Sequence, residues 1–308
     1  MKLIHKILSY IAYYFRPIFF INFLKIFKNN LLMKKIISIY DPNNIRKKIP
    51  KKLNDKYISL SKEKLIFDLN INDHIGYNFF INEKWNHIPI KLARQIGFNK
   101  DDIFIDVGAN TGLVSIPFAE EFNCHVIAIE ASKNNGKYLK KNIENNSLNI
   151  KPVIKFLSSD KIGSETKLFK FNGNYGANSF FRNWNPSLSK TDYELVENTT
   201  LDNEIKNYNI DKIKIIKFDI EGYEYEVIKN FKLIDKIQSI IIFEYNVNYL
   251  KNIYENNYDI LLKFLDSNFD LYSIENPSFS EVILRKINPN VSSEVLAIPK
   301  KFKGNYKK

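Results

Sequence analysis

The chain has 308 residues, 44% of them hydrophobic and 26% charged, enough for a large globular core and too apolar for whole-chain disorder. Ten Gly, ten Pro and one Cys, Cys124, exclude a collagen-like chain, a disulfide scaffold and a cysteine-ligated zinc site, and point to a reducing, cytoplasmic compartment. Residues 1–56 hold 13 Lys/Arg against only Asp41 and Asp55, so most of the net +12 sits there and the remainder is nearly neutral, which argues against nucleic acid as a partner.

The first 27 residues carry two apolar runs, Ile7 to Phe15 and Pro17 to Leu24, split by Arg16. Neither reaches the roughly 20 residues of a membrane span, and no small-residue cleavage site follows the first. The expectation is a segment lying on the inner, anionic face of the membrane, peripheral rather than spanning; a helix pair packed on the domain or on a second copy, and a true span, are the alternatives. Residues 41–56, with Pro42, Pro50 and a Lys/Arg cluster, read as a solvated linker, and 57–100 as a helical lead-in.

From 101 to 300 short β-rich runs alternate with helical stretches. Strands are expected at Ile103 to Val107, His125 to Glu130, Val153 to Leu157, Ile213 to Phe218, Ser239 to Glu244, Phe269 to Ile274 and Val295 to Ile298, with helices at 133–146 and 222–231 among the intervening segments. This predicts an α/β fold, a doubly wound, Rossmann-like, seven-stranded and mostly parallel sheet whose last strand is antiparallel. Residues 163–200 interrupt the alternation with the turn signals Asn172-Gly173 and Gly176-Ala177-Asn178, and read as a hairpin insertion near the site. Residues 301–308 form a basic tail.

The chemistry concentrates at strand ends. Ile103 to Gly112 is an apolar strand running into a glycine turn and a helix, the place where open parallel sheets bind ligands. Pro117 shifts the start of that helix toward Ser115. Glu130 closes the next strand, 24 residues after Asp106, where a carboxylate accepts ribose hydroxyls; the spacing is not that of a dinucleotide pyrophosphate loop. Together Asp106-Val-Gly-Ala-Asn-Thr-Gly112, Glu130-Ala-Ser-Lys-Asn-Asn, Leu139-Lys-Lys-Asn142, Ser158-Ser-Asp160-Lys-Ile-Gly163, Thr200-Leu-Asp202 and Ile216-Lys-Phe-Asp219-Ile-Glu221-Gly-Tyr-Glu224 resemble the FkbM-type family of class I S-adenosylmethionine-dependent methyltransferases. The resemblance covers about 95–300. It implies that Asp106, Gly108, Ala109, Asn110 and Gly112 hold the amino-acid end of S-adenosyl-L-methionine, Glu130 its ribose, and Ser159 with Asp160 its adenine.

Methyl transfer is an in-line displacement, and an aliphatic hydroxyl needs its proton removed as the bond forms. Asp219, ending the fourth strand, is the expected positioning group or base; Glu221 either joins it or caps the helix expected at Gly222. Glu244 completes the catalytic candidates. With Asn246 and Asp219 it offers oxygen ligands for a divalent ion, a metal that is not favoured. His87, Asn178, Ser179 and Arg182 are further candidates for substrate contact. The expected reaction is O-methylation of a sugar hydroxyl in a bacterial surface or lipid-linked glycan, the family's acceptors. The rival readings are a membrane-associated binding protein that keeps the fold without the reaction, and a nucleic-acid or small-metabolite methyltransferase; for the nucleic-acid case no Asn-Pro-Pro-Tyr follows the fourth strand.

Overall fold

A computed structural model describes residues 58–62, 65–70, 73–82, 87–158, 162–171, 174–183, 188–275 and 282–302. The readings of 1–56 and the adenine residues Ser159 and Asp160 lie outside these residues.

The elements follow in chain order: β1 Ile58–Lys62, β2 Leu65–Leu69, α1 His74–Asn82, α2 Ile88–Ile96, β3 Ile103–Val107, α3 Ser115–Phe122, β4 His125–Glu130, α4 Lys133–Asn146, β5 Ile150–Ile154, β6 Phe156–Leu157, β7 Glu165–Phe171, β8 Leu188–Thr199, α5 Leu201–Ile205, β9 Ile213–Phe218, α6 Glu224–Lys229, β10 Ile240–Tyr245, α7 Val247–Tyr254, α8 Ile260–Leu265, β11 Phe269–Glu275, β12 Ile283–Lys286 and β13 Ser293–Pro299. The described elements fall into two compact units, β1, β2 and α1 in the first, with residues 174–176, and α2 to β13 in the second.

In the first unit β1 and β2 pair as an antiparallel hairpin. Phe67 of β2 meets Phe79 of α1 edge to face, with ring centroids 5.0 Å apart. Asp73 fastens the start of α1, its Oδ2 accepting from the N–H groups of Ile75 and Gly76. The lead-in expected to be helical thus begins with strands: Leu65-Ile-Phe-Asp-Leu69 is rich in residues that suit a pleated, half-buried surface.

The second unit is an eight-stranded sheet in the order β12-β11-β13-β10-β9-β3-β4-β5, with β9, β3, β4, β5 and β10 parallel and β13 antiparallel to both β10 and β11. The seven expected strands are present, and β12 adds an antiparallel edge. Both faces are covered, which is why the central strands read as mostly apolar runs. Ile103, Ile105 and Val107 join a core with residues of α5 to α8, while Phe104, pointing the other way, stacks on Phe118 of α3 at 4.2 Å.

The third strand was expected at 153–157 and lies at 150–154 instead. Pro152 is tolerated because β5 is the sheet edge, with its second side unpaired. Phe156 and Leu157 leave that sheet and pair with β8, which forms an antiparallel hairpin with β7. The helix after β4 spans Lys133–Asn146 as expected, capped by Ser132, whose side chain accepts from the Asn135 N–H.

Candidate functional site

The site gathers at the carboxyl ends of β3, β4, β9 and β10. After β3 the chain turns through Gly108, Asn110 and Gly112, all at positive φ (83°, 53° and 91°). The N–H groups of Gly108 and Ala109 both donate to the Ile129 carbonyl, folding the loop over the end of β4. Asn142 of α4 donates to the Thr111 carbonyl at 2.9 Å and fixes its far side. Gly108 is required by the neighbouring strand: a Cβ there would lie 1.9 Å from the Asp219 carbonyl oxygen. Helix α3 begins at Ser115 as the sequence suggests, with Pro117 in its first turn, where no intrahelical N–H is lost.

Glu130 is buried beneath this loop. Its Oε2 accepts from the Asn110 N–H and its Oε1 from the Ser132 N–H, both at 2.8 Å. Burial pushes its carboxyl up to about 7, with those two amides opposing the shift.

Asp106 is fully buried. Ser115 Oγ donates to its Oδ2 at 2.5 Å. Its Oδ1 has no hydrogen-bond partner among the described residues and lies 3.6 Å from Lys217 Nζ. Lys217, opposite Asp106 in the β3–β9 register, also reaches Asp219 Oδ2 at 3.0 Å. Burial pulls the Lys217 ammonium down, but the charges of Asp219 and Asp106 outweigh it and its pKa is raised. Burial raises the pKa of Asp106, against the pull of Lys217 and Ser115. Sequence reasoning quoted Lys217 inside a motif and gave it no role. The available signal was a charge within a strand covered on both faces, which must have a buried partner.

Asp219 follows β9 with its side chain 37% exposed. It opens into a cavity of about 330 Å³ lined by Lys217, Phe218, Asp219, Glu244, Tyr245, Ser292, Ser293 and Glu294. Glu244 is at the solvent side; burial in the cavity and then the charge of Asp219 raise its pKa. Asp219 and Glu244 therefore share one cavity, as their positions at adjoining strand ends imply.

Glu221 is not among the lining residues. It adopts φ 56° in the turn after β9, and its carbonyl accepts from Ser179 Oγ at 3.0 Å. It does not cap a helix at Gly222, since α6 begins at Glu224. Glu224, which sequence reasoning passed over, is the residue that secures the turn: its Oε1 accepts from the Ile220 N–H at 2.9 Å, and burial pushes its carboxyl up to about 7.

The hairpin residues have structural contacts. Ser179 ties the hairpin to the turn after β9, Asn178 accepts from the Phe171 N–H, and the Arg182 guanidinium lies over the Phe169 ring at 5.3 Å. His87 precedes α2 without capping it through its side chain. Asn246, the third oxygen donor considered for a metal, caps α7 by accepting from the Tyr249 N–H. Among the described residues no group of three or more His, Cys, Asp or Glu side chains is arranged to hold a metal.

A family model described as a methyltransferase FkbM domain matches residues 106–271. Similar solved structures include an O-methyltransferase from Bacillus cereus in complex with SAH, 13% identical, covering 73% of this chain and 88% of that one with a TM-score of 0.41. TYW2 from P. horikoshii in complex with MeSAdo is 14% identical, covering 80% and 71% with a TM-score of 0.40. Precorrin-6y C5,15-methyltransferase from Geobacter metallireducens is 11% identical, covering 68% and 87% with a TM-score of 0.37. No curated protein sequence matches the chain.

Proposed function

The chain belongs to the FkbM family of S-adenosylmethionine-dependent methyltransferases, and from that premise we propose that it methylates a sugar hydroxyl of a surface or lipid-linked glycan. The observation that carries this reading is Asp219, a carboxylate held by a buried lysine and opening into a cavity of substrate size.

The residues present fit the cofactor. Glu130 Oε1 accepts from the Ser132 N–H and the Asn135 side-chain amide, while Oε2 accepts one N–H, from Asn110, and keeps a lone pair for a hydroxyl donor. The left-handed turns at Asn110 and Gly112 shape the loop ahead of the α3 N-terminus. Asp106 is assigned differently from the simple motif reading: enclosed between Ser115 and Lys217, it acts on the site through Lys217 and the strand end beneath the loop. Ser159 and Asp160 remain the residues proposed for the adenine.

When bound, S-adenosylmethionine supplies a methyl group activated by its sulfonium. The chain's part is to orient the acceptor and hold its proton. Lys217 fixes the Asp219 carboxylate through Oδ2, leaving Oδ1 to accept the acceptor's hydroxyl hydrogen and take the proton as the nucleophile forms. Glu224 holds the turn that carries Asp219, and Ser179 braces it from the hairpin.

Residues 1–56 supply a basic, apolar anchor on the inner face of the membrane in this reading, which would bring the site to lipid-linked acceptors. Among the described residues no helix is long and apolar enough to cross a membrane.

The test is transfer of a labelled methyl group from S-adenosylmethionine to lipid-linked oligosaccharide. Label should appear on a sugar oxygen, and Asp219→Asn should bind cofactor normally while losing transfer by about 10²-fold or more. Full turnover in that variant removes Asp219 from the chemistry, and label on nucleic acid alone overturns the acceptor class.

A further inference from the structure

Strand β8 alternates along its second half: Tyr193, Leu195 and Glu197 are exposed, while Val196 and Asn198 are buried. Successive side chains of a strand point to opposite faces, so Glu194 stands on the inward side with Val196 and Asn198. A carboxylate there needs partners. Glu194 Oε2 accepts from the N–H of Lys133, the first residue of α4, at 3.3 Å. Glu194 Oε1 is shut off from solvent and has no hydrogen-bond partner among the described residues. Such an oxygen calls for an explanation, and a donor group on a ligand supplies one.

The neighbouring carboxylate is Glu130. The Ser132 N–H donates to Glu130 Oε1 and the next amide along the chain, that of Lys133, donates to Glu194 Oε2, so consecutive amides hold the two side chains near each other. Burial, and to a smaller extent the charge of Glu194, pushes the Glu130 carboxyl up to about 7. Glu130 alone has room for one ribose hydroxyl. Its Oε1 is filled by the Ser132 N–H and the Asn135 side-chain amide, and its Oε2, which accepts from Asn110, has one position left. The ribose of S-adenosylmethionine carries two adjacent hydroxyls, each a donor, so the second needs another acceptor.

We propose that Glu194 Oε1 accepts the second ribose hydroxyl of S-adenosylmethionine while Glu130 Oε2 takes the first, so that the β7–β8 hairpin supplies part of the cofactor site. Two carboxylates held this close repel each other, and two hydroxyl hydrogens placed at them offset that repulsion when cofactor binds. Hydrogen bonds to an ionised acceptor are also the strong ones. The inference rests on the reading of Glu130 as the ribose residue of a methyltransferase.

Isothermal titration of the full-length protein with SAH and with its 2′-deoxy and 3′-deoxy ribose analogues tests the assignment. Glu194→Ala should weaken SAH binding by about tenfold or more, the usual effect of losing a charged acceptor. One of the two analogues should bind Glu194→Ala as well as SAH does, because the hydroxyl it lacks has already lost its partner, and the other should do the same for Glu130→Ala. Glu197→Ala, on the outward side of the same strand, should bind SAH like the native chain, and urea unfolding checks that each variant is folded. Unchanged or tighter SAH binding in Glu194→Ala overturns the proposal, as does a penalty in that variant for both missing hydroxyls equal to that of the native chain. An equal loss in Glu197→Ala also overturns it, by assigning the effect to the charge of the hairpin rather than to contact. If the folded native chain binds no SAH, the failure is a different one, that of the methyltransferase reading beneath.

Discussion

Glu224 and Glu130 each combine burial with a carboxyl pushed up to about 7. A carboxyl raised in the folded state favours the protonated form there. Its contribution to stability is thus full below the ordinary carboxylate value near 4.5 and is lost as pH rises through about 7. Stability should therefore fall between pH 5 and pH 8, with Glu224 accounting for about 1–3 kcal/mol of the fall. Glu224→Gln keeps an oxygen for the Ile220 N–H and removes the titration. Urea denaturation across this pH range should give a flatter profile for the variant, and a slope equal to that of the native chain would show that Glu224 is ionised without penalty. At this scale sequence reading was uneven. Glu130 and Asp219 stand at strand ends, where charge has a chemical reading, whereas Lys217 is flanked by Ile216 and Phe218 and its partners are fixed only by the β3–β9 register. Glu194 is invisible to motif reading for the same reason, since its place beside Glu130 exists only once β8 is laid against the start of α4.

Among the elements, β3, β4 and β9 begin and end where the sequence places them, because strands buried on both faces are predominantly apolar. Edge elements were harder. Local sequence cannot tell that Pro152 belongs to a strand with one unpaired side, or that Phe156-Leu157 pairs with β8 after a single break at Lys155. The loop after β3 gives an element-scale prediction. Gly108→Ala meets both a positive φ and the Asp219 carbonyl, whereas Gly97→Ala, at φ 71°, meets nothing within 4 Å. Gly97→Ala should therefore cost only about 1 kcal/mol, from the left-handed backbone, and Gly108→Ala considerably more, since two strand ends must separate. Equal losses in chemical denaturation would show that the close approach of β3 and β9 is not a constraint on folding.

For the whole molecule, two features are to be tested separately. The charge of residues 1–56 predicts that the full chain sediments with vesicles containing anionic lipid, and that raising salt toward about 0.5 M releases it, because each Lys or Arg near the surface contributes about 1 kcal/mol and is screened by salt. Equal binding to neutral vesicles at all salt concentrations would point to apolar insertion alone, and no binding to either would remove the anchor. The methyltransferase unit carries the central claim, that Glu130 and the loop from Gly108 to Gly112 form one cofactor site. Isothermal titration of the folded chain with SAH tests it most directly. Saturable one-to-one binding is predicted, weakened by about 1.5–3 kcal/mol in Glu130→Ala through loss of a charged hydrogen-bond acceptor. No heat from folded protein, or an affinity unchanged by Glu130→Ala, would contradict the account.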